Sequence, residues 1–148
     1  MGIKNYILPL LLMIICPVVM GQSQLEIEVS NIRNNNGHIL FSLFKTSEQF
    51  PRNPPKELSN LIIQKTNMSN RSLKHSINSL KPGFYALALL DDENKSGDLE
   101  STKIGIPLEG FGFSNNIKPF LSPPPFRKCV FEVKPGKNSI KIEVQYRK

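Results

Sequence analysis

Apolar and polar positions alternate along much of the chain. In "QLEIEVSNI", Leu25, Ile27 and Val29 alternate with Glu26 and Glu28. A period of two sets one strand face against a core and the other in water. Near the C-terminus "NSIKIEVQY" repeats the pattern, with Ile140, Ile142, Val144 and Tyr146 alternating with Lys141, Glu143 and Gln145. "HILFSLFK" and "CVFEV" are further strand candidates, and "SLKHSI" is a weaker one. "GFYALALL" is apolar on both alternations, as suits a central strand covered on both faces. The Asn- and Gly-rich "RNNNG" predicts a hairpin joining the first strand to "HILFSLFK". "KPGKN" predicts a second, joining "CVFEV" to "NSIKIEVQY".

No stretch reads as a capped amphipathic helix. "PPKELSNLIIQ" suits one short helical turn or an edge strand. "FPRNPP" and "SPPPF" are excluded from central strands, because Pro cannot donate to a ladder. About seven short strands separated by turns predict an all-β fold, an antiparallel β-sandwich. Its inner faces should hold Leu25, Ile27, Val29, Phe41, Tyr85, Leu87, Leu89, Phe131, Ile140, Ile142 and Val144.

The first residues belong to a different pattern. Lys4 gives a positive start, Ile7 to Met20 is almost wholly apolar, and Gly21 is small. This is the pattern of a secretory signal peptide over residues 1–21, cleaved before Gln22. The run is short for a membrane span, which needs about 20 residues. An uncleaved anchor is the alternative, and Ile15 before Cys16 disfavours a lipoprotein. The expectation is an exported protein, periplasmic or secreted, with a single domain over residues 22–148 and no stable membrane span once cleaved.

Cleavage removes one of the two cysteines and leaves Cys129, so no internal disulfide can form. Cys129 alternates with Phe131 and Val133 and reads as a buried core thiol. The net charge falls from +7 to +6 when Lys4 leaves. The remaining positive residues are scattered, with no stripe of the kind nucleic acid needs. A solvated basic surface on a monomer is expected.

One stretch carries candidate chemistry. "DDENKSGDLE", residues 91–100, gathers five acidic residues, an Asn, a Ser and a Gly. Counted from Asp92, the positions Asn94, Ser96, Gly97, Asp98 and Glu100 fall at 3, 5, 6, 7 and 9 of an EF-hand-like calcium loop. Leu99 is expected to point back into the core and anchor the loop. Position 12, where a bidentate Glu would close the site, is Lys103. The match is therefore to the first half of the loop, with Asp92, Asn94, Ser96, Asp98 and Glu100 as candidate calcium ligands. The competing reading is a plain turn, since Asp, Asn, Ser and Gly all bond to local backbone.

Residues 79–116, "SLKPGFYALALLDDENKSGDLESTKIGIPLEGFGFSNN", resemble the signature of the bacterial domain-of-unknown-function family 2141. That signature runs from a Leu-x-Pro-Gly-x-Tyr turn and strand to His-Asp-x-Asn-x-Asn-Gly-x-x-Asp. It ends in a Pro-x-Glu-Gly-Tyr-Gly-Phe-Ser-Asn-Asn stretch. "NGHILFSLFK" and "PPPFRKCVFEV" fit as well. The resemblance implies an exported sandwich, Ig-like or prealbumin-like, with no established activity. The chain departs from it in the acidic loop, where Asp91 stands for His, Ser96 for Asn and Glu100 for Asp. The last two swaps keep oxygen ligands. The first argues against a general base or soft-metal ligand at position 91.

Three function classes remain open. A non-catalytic binding module of the cell envelope, for a glycan, a peptide or an envelope protein, fits an exported sandwich with long loops. A structural accessory role differs from it by lacking an exposed aromatic patch. "EGFGFSNN" bears on that choice: Phe111, Phe113, Asn115 and Asn116 form either a ligand surface or a loop folded onto the sandwich. The alternative is a small hydrolase using the acidic loop, which would need a pocket joining His38 or His75 to Asp92. No residue is assigned a catalytic role.

Overall fold

Each alternating segment forms a strand in the computed structural model, which describes residues 22–120 and 122–147. The expected signal, residues 1–21, lies outside the described residues. The strands are β1 (Ser23–Ser30), β2 (His38–Phe44), β3 (Leu61–Gln64), β4 (Leu73–Leu80), β5 (Gly83–Asp92), β6 (Gly110–Phe113), β7 (Phe131–Val133) and β8 (Gly136–Glu143). The only α-helical segment described is α1 (Phe126–Cys129). "PPKELSNLIIQ" makes both of its expected forms, a short 3-10 turn at Lys56–Leu58 and then the edge strand β3.

The strands form two sheets. One has the order β4-β1-β8; the other has β3-β2-β5-β6, with β7 also paired to β5. β5 is central, as its double-sided apolar pattern requires. β2 lies along one edge of it, while β7 and β6 pair with successive parts of its length. The pairs are antiparallel except β1–β8, which runs parallel from Ser23↔Gly136 to Ser30↔Glu143.

Neither expected hairpin forms, because in each case the two strands belong to different sheets. β1 pairs with β4 and β8, whereas β2 pairs with β3 and β5. The connection between β1 and β2 is a packed crossover. Ile32 is fully buried in it, and the Asn31 amide donates to the Val144 carbonyl at 2.8 Å. The β7–β8 connection crosses between sheets within Lys134 and Pro135. There the Asn138 side chain accepts the Lys134 N–H (2.9 Å) and donates to its carbonyl (2.7 Å). Turn composition marks that the chain turns; which sheet receives it depends on the faces to be covered.

The core lies between the sheets. Leu25, Ile27, Val29, Phe41, Tyr85, Leu87, Leu89, Ile142 and Val144 are buried as expected, while Phe131 and Ile140 are half-buried at its margin. A fully buried aliphatic side chain contributes about 1.5–3 kcal/mol relative to exposure. On the outer face of the smaller sheet the alternate positions are polar and pair across strands, as in Lys74–Glu26 (3.1 Å) and Lys141–Glu28 (3.4 Å). Exposed pairs of this kind stabilise little. The larger sheet is different: its outer face is apolar too.

Candidate functional site

The acidic run begins as the last two residues of β5, so Asp91 and Asp92 point to opposite faces. Asp91 continues the inner row of Tyr85, Leu87 and Leu89 and is fully buried. The Lys65 ammonium, also buried, pairs with its Oδ1 without an aligned hydrogen bond. The Tyr146 hydroxyl donates to Oδ2 at 2.5 Å and accepts the Arg33 N–H at 3.0 Å. Burial, reinforced by the Asp91 carboxylate, raises the Tyr146 hydroxyl well above its ordinary pKa. Gly110 lies opposite Asp91 on β6, where a Cβ would overlap the Tyr146 ring and Val144. The glycine is what lets the tyrosine reach the carboxylate.

Asp92 faces the other way and is equally buried. Its Oδ1 accepts the Ser96 N–H and its Oδ2 the Gly97 N–H, both at 3.0 Å, and His38 Nε2 lies 3.2 Å from Oδ2. The Asn94 Oδ1 also accepts the Ser96 N–H (2.9 Å), and the Ser96 hydroxyl donates to the Asp98 carbonyl (3.0 Å). Glu93 is tied down separately: Arg33 Nε donates to it at 2.5 Å, and its N–H goes to the buried Glu109 carboxylate at 3.0 Å. Burial pushes the Glu93 carboxyl up, but the Arg33 hydrogen bond and charge outweigh it and hold it below its ordinary range.

The five candidate calcium ligands are thus divided. Asp92 is buried as the hub of the turn; Asn94, Ser96, Asp98 and Glu100 are exposed. Calcium takes six to eight oxygens. Asp92, Asn94 and Ser96 use part of their accepting capacity within the loop, and each oxygen retains a lone pair. Lys103 leaves the closing position without an oxygen. Among the described residues, no three His, Cys, Asp or Glu side chains converge as a ready metal group. The loop fits calcium in part and folds on its own hydrogen bonds.

Beyond Asp92 the same loop forms a wall of a cleft of about 560 Å³ on the outer face of the larger sheet. The floor is built from alternate outward positions: Leu40 and Ser42 on β2, Ala88 and Leu90 on β5, Phe111 and Phe113 on β6. Gly97, Leu99 and Pro107 stand on one side; Pro119, Phe120 and Pro123 contribute from the Pro-rich segment. A second apolar cluster covers part of this face, with Phe50, Ile117 and Phe126 packed on Phe111, Phe113 and Cys129. The remainder is open. Leu99 is 45% exposed and lines the cleft, so it does not anchor the loop in the core. Phe120 is 82% exposed, and Ile104 and Leu108 are exposed on the loop after Leu99.

Residues 27–141 match the family model described as "Uncharacterized protein conserved in bacteria (DUF2141)". The chain belongs to this family. No curated protein matches it, and no solved structure does.

In this DUF2141 chain, "EGFGFSNN" is structural for most of its length. Gly110 to Phe113 form β6, buried throughout. Ser114 Oγ accepts the Leu87 N–H at 2.9 Å and donates to the Cys129 carbonyl at 2.5 Å. The Asn115 amide donates to the Lys128 and Val130 carbonyls, and Asn116 accepts the Glu143 N–H at 2.8 Å. The stretch is therefore the folded-on loop of the two alternatives: Phe111 and Phe113 are almost wholly buried and show only their edges at the cleft floor, and both amides are used within the fold. Cys129 is fully buried, and burial pushes its thiol up to about 11, as expected of a core cysteine. His75 packs edge-on against Phe41 with ring centroids 5.7 Å apart.

Sequence reasoning did not find the cleft or the Lys65–Asp91–Tyr146 group. The cleft had a signal, since Leu40, Phe44, Ala88 and Leu90 make the second face of β2 and β5 apolar. Lys65 had none: it sits among polar residues, and only the tertiary fold closes over it.

Proposed function

We propose that this DUF2141 protein is an exported, non-catalytic binding module of the cell envelope, and that its ligand lies in the cleft on the outer face of the larger sheet. The observation that carries this reading is the cleft itself, a concave site with Leu40, Leu90 and Phe111 in its floor and the exposed Leu99 and Phe120 at its sides. Concave sites of mixed apolar and polar lining are where small ligands bind. A volume of about 560 Å³ lies within the range of small-ligand pockets. Export rests on Lys4, the apolar run to Met20 and Gly21. Of the expected ligand classes a glycan fits worst. The floor is mainly apolar, and its Ser42 hydroxyl already accepts the Asn60 N–H. In the same reading the 92–100 loop holds calcium weakly and stiffens the wall to which Gly97 and Leu99 belong.

The test is an amide NMR spectrum titrated with a library of small apolar and amphiphilic fragments. Shifts should cluster at Leu40, Ser42, Leu90 and Phe111. Shifts confined to the β4-β1-β8 face, or none, would overturn the assignment.

A hydrolytic reading draws on the His38–Asp92 contact, since a buried carboxylate beside an imidazole can orient a general base. Neither residue lines the cleft, however. Asp92 has a sufficient structural reason in the two N–H groups it accepts, and the binding reading is preferred.

A further inference from the structure

The side chains around the cleft are unbalanced in charge. Among the described residues, the only charged ones that line it are Arg52 and Arg147, and no carboxylate side chain does. Among the described residues neither guanidinium enters an ion pair. This contrasts with the opposite sheet face and the inner end of β5, where lysines and arginines pair with carboxylates. Arg147 is half-buried, its guanidinium 5.9 Å from the centroid of the Phe111 ring on the floor. One Nη donates to the Pro119 carbonyl on the wall. A guanidinium carries five N–H donors in a planar fork that matches carboxylate and phosphate oxygens. Pro119 and the Phe111 face fix its position while leaving donors of that fork free for a ligand.

We propose that the cleft takes a small amphiphile whose apolar body lies on the Leu40, Leu90 and Phe111 floor and whose carboxylate or phosphate head pairs with Arg147, a step that rests on reading the cleft as the binding site. Three features converge on this chemistry. Leu40, Leu90 and Phe111 in the floor offer no side-chain hydrogen bond, so an anion without an apolar body would leave them uncovered, although Ser42, Asn60, Ser101 and Ser122 also line the cleft. The guanidinium is partly desolvated and has no counter-charge among the described residues, so a neutral apolar ligand would leave it unpaired. The rim residue Phe120, being exposed, can close over a chain or ring without any cost to the core. Arg52, exposed and also lining the cleft, adds positive charge to it.

The experiment is isothermal titration of the whole exported domain with four ligands of equal chain length below their micellar concentrations: decanoate, decyl phosphate, decanol and decyltrimethylammonium. At least one anion should bind about tenfold or more tighter than decanol, the effect of one charge-assisted hydrogen bond. The cation should bind weakest. Which anion binds tighter identifies the head group. Arg147→Gln should bring the anions to within about twofold of decanol and leave decanol itself unchanged, a loss of one charged contact. Added salt should weaken the anions alone. Phe120→Ala, at an exposed rim position that does not support the fold, should weaken every ligand that binds. Decanol equal to both anions in the wild type, or an anion preference that survives Arg147→Gln, would overturn the head-group pairing while leaving the cleft as a binding site. Failure of all four to bind, with no NMR shift on the floor, would overturn the cleft reading as well.

Discussion

The Lys65 ammonium and the Asp91 carboxylate form an ion pair whose two side chains are almost completely closed to water, 1% and 0% exposed. Lys65 also donates to the Asn36 carbonyl at 2.6 Å, and Asp91 accepts from Tyr146. The pair therefore joins the β1–β2 crossover, the end of β5 and the C-terminal segment at one end of the sandwich. Taking two charges out of water costs several kcal/mol each, and their attraction offsets this only when geometry and added hydrogen bonds are good. Such a pair adds little net stability over well-packed apolar side chains of similar volume.

Breaking it from one side should be costly. Lys65→Met leaves an uncompensated buried carboxylate and should destabilise by about 3–5 kcal/mol. Adding Asp91→Asn removes the stranded charge while keeping an acceptor for Tyr146. The double variant should recover much of the loss. Urea unfolding of the two single variants and the double gives the coupling directly; additive losses would show that the pair is not a unit.

His75 should make stability fall in mild acid. Burial against the core lowers its pKa from the ordinary 6.5. The unfolded chain then binds a proton more readily than the folded one between the lowered value and 6.5. Stability rises with pH across that window, so the contribution is complete above about 6.5, the free imidazole value, and is lost progressively below it. His75→Leu should flatten the dependence of stability on pH between 7.5 and 5 relative to wild type, to about the remaining groups' slope. An NMR titration placing the His75 midpoint at or above the free value would refute the assignment.

Gly37 is the next sensitive point. It precedes β2 at φ +67, and a Cβ there would overlap the Asp92 carbonyl and the Glu93 backbone. The left-handed backbone alone costs a residue with a Cβ about 1–2 kcal/mol. The collision with main chain adds to that, because backbone cannot swing aside as a long side chain can. Gly37→Ala should therefore lower the melting temperature more than Gly97→Ala, where φ is also positive (+86) but no atom lies within 4 Å. Equal losses would mean that the crossover can move away from Asp92.

The elements of the fold were legible because each strand states its own face. Leu25, Ile27 and Val29 alternate whatever they pair with, and β5 announces two covered faces by itself. Pairing is another matter. "RNNNG" turns the chain equally well into a neighbouring strand or across to the opposing sheet, and the buried Ile32 that fixes the crossover is one apolar residue among polar ones. The outward Leu40 and Leu90 showed an apolar second face; whether loops would seal it depended on where Phe50, Ile117 and Phe126 settle. Asp92 was legible as special, but the spacing of oxygens is shared by a calcium loop and by the hydrogen-bonded turn that encloses it.

The last prediction separates those two roles of the acidic loop. Asp92 accepts two backbone N–H groups from the exposed Ser96 and Gly97 and contacts His38, so its removal should destabilise the protein with or without calcium, by about 0.5–1.5 kcal/mol per hydrogen bond lost. A loss of calcium response in Asp92→Ala would therefore be ambiguous. Glu100 is the better probe, because its side chain is exposed and its removal leaves the Asp92 turn intact. Chelator should leave the wild-type melting temperature unchanged, since the loop folds on its own hydrogen bonds. Calcium should bind with the affinity of extracellular modules, on the order of 10⁻⁴–10⁻³ M, because three carboxylates at most contribute and Lys103 occupies the closing position. At tenfold above its Kd it should then stabilise the wild type by about 1.4 kcal/mol. Glu100→Gln should keep the calcium-free stability and lose most of that gain, in calorimetry and in thermal melts alike. A flat calorimetric titration of the wild type, with a melting temperature indifferent to millimolar calcium, would leave residues 92–100 as a turn whose carboxylates serve the fold alone.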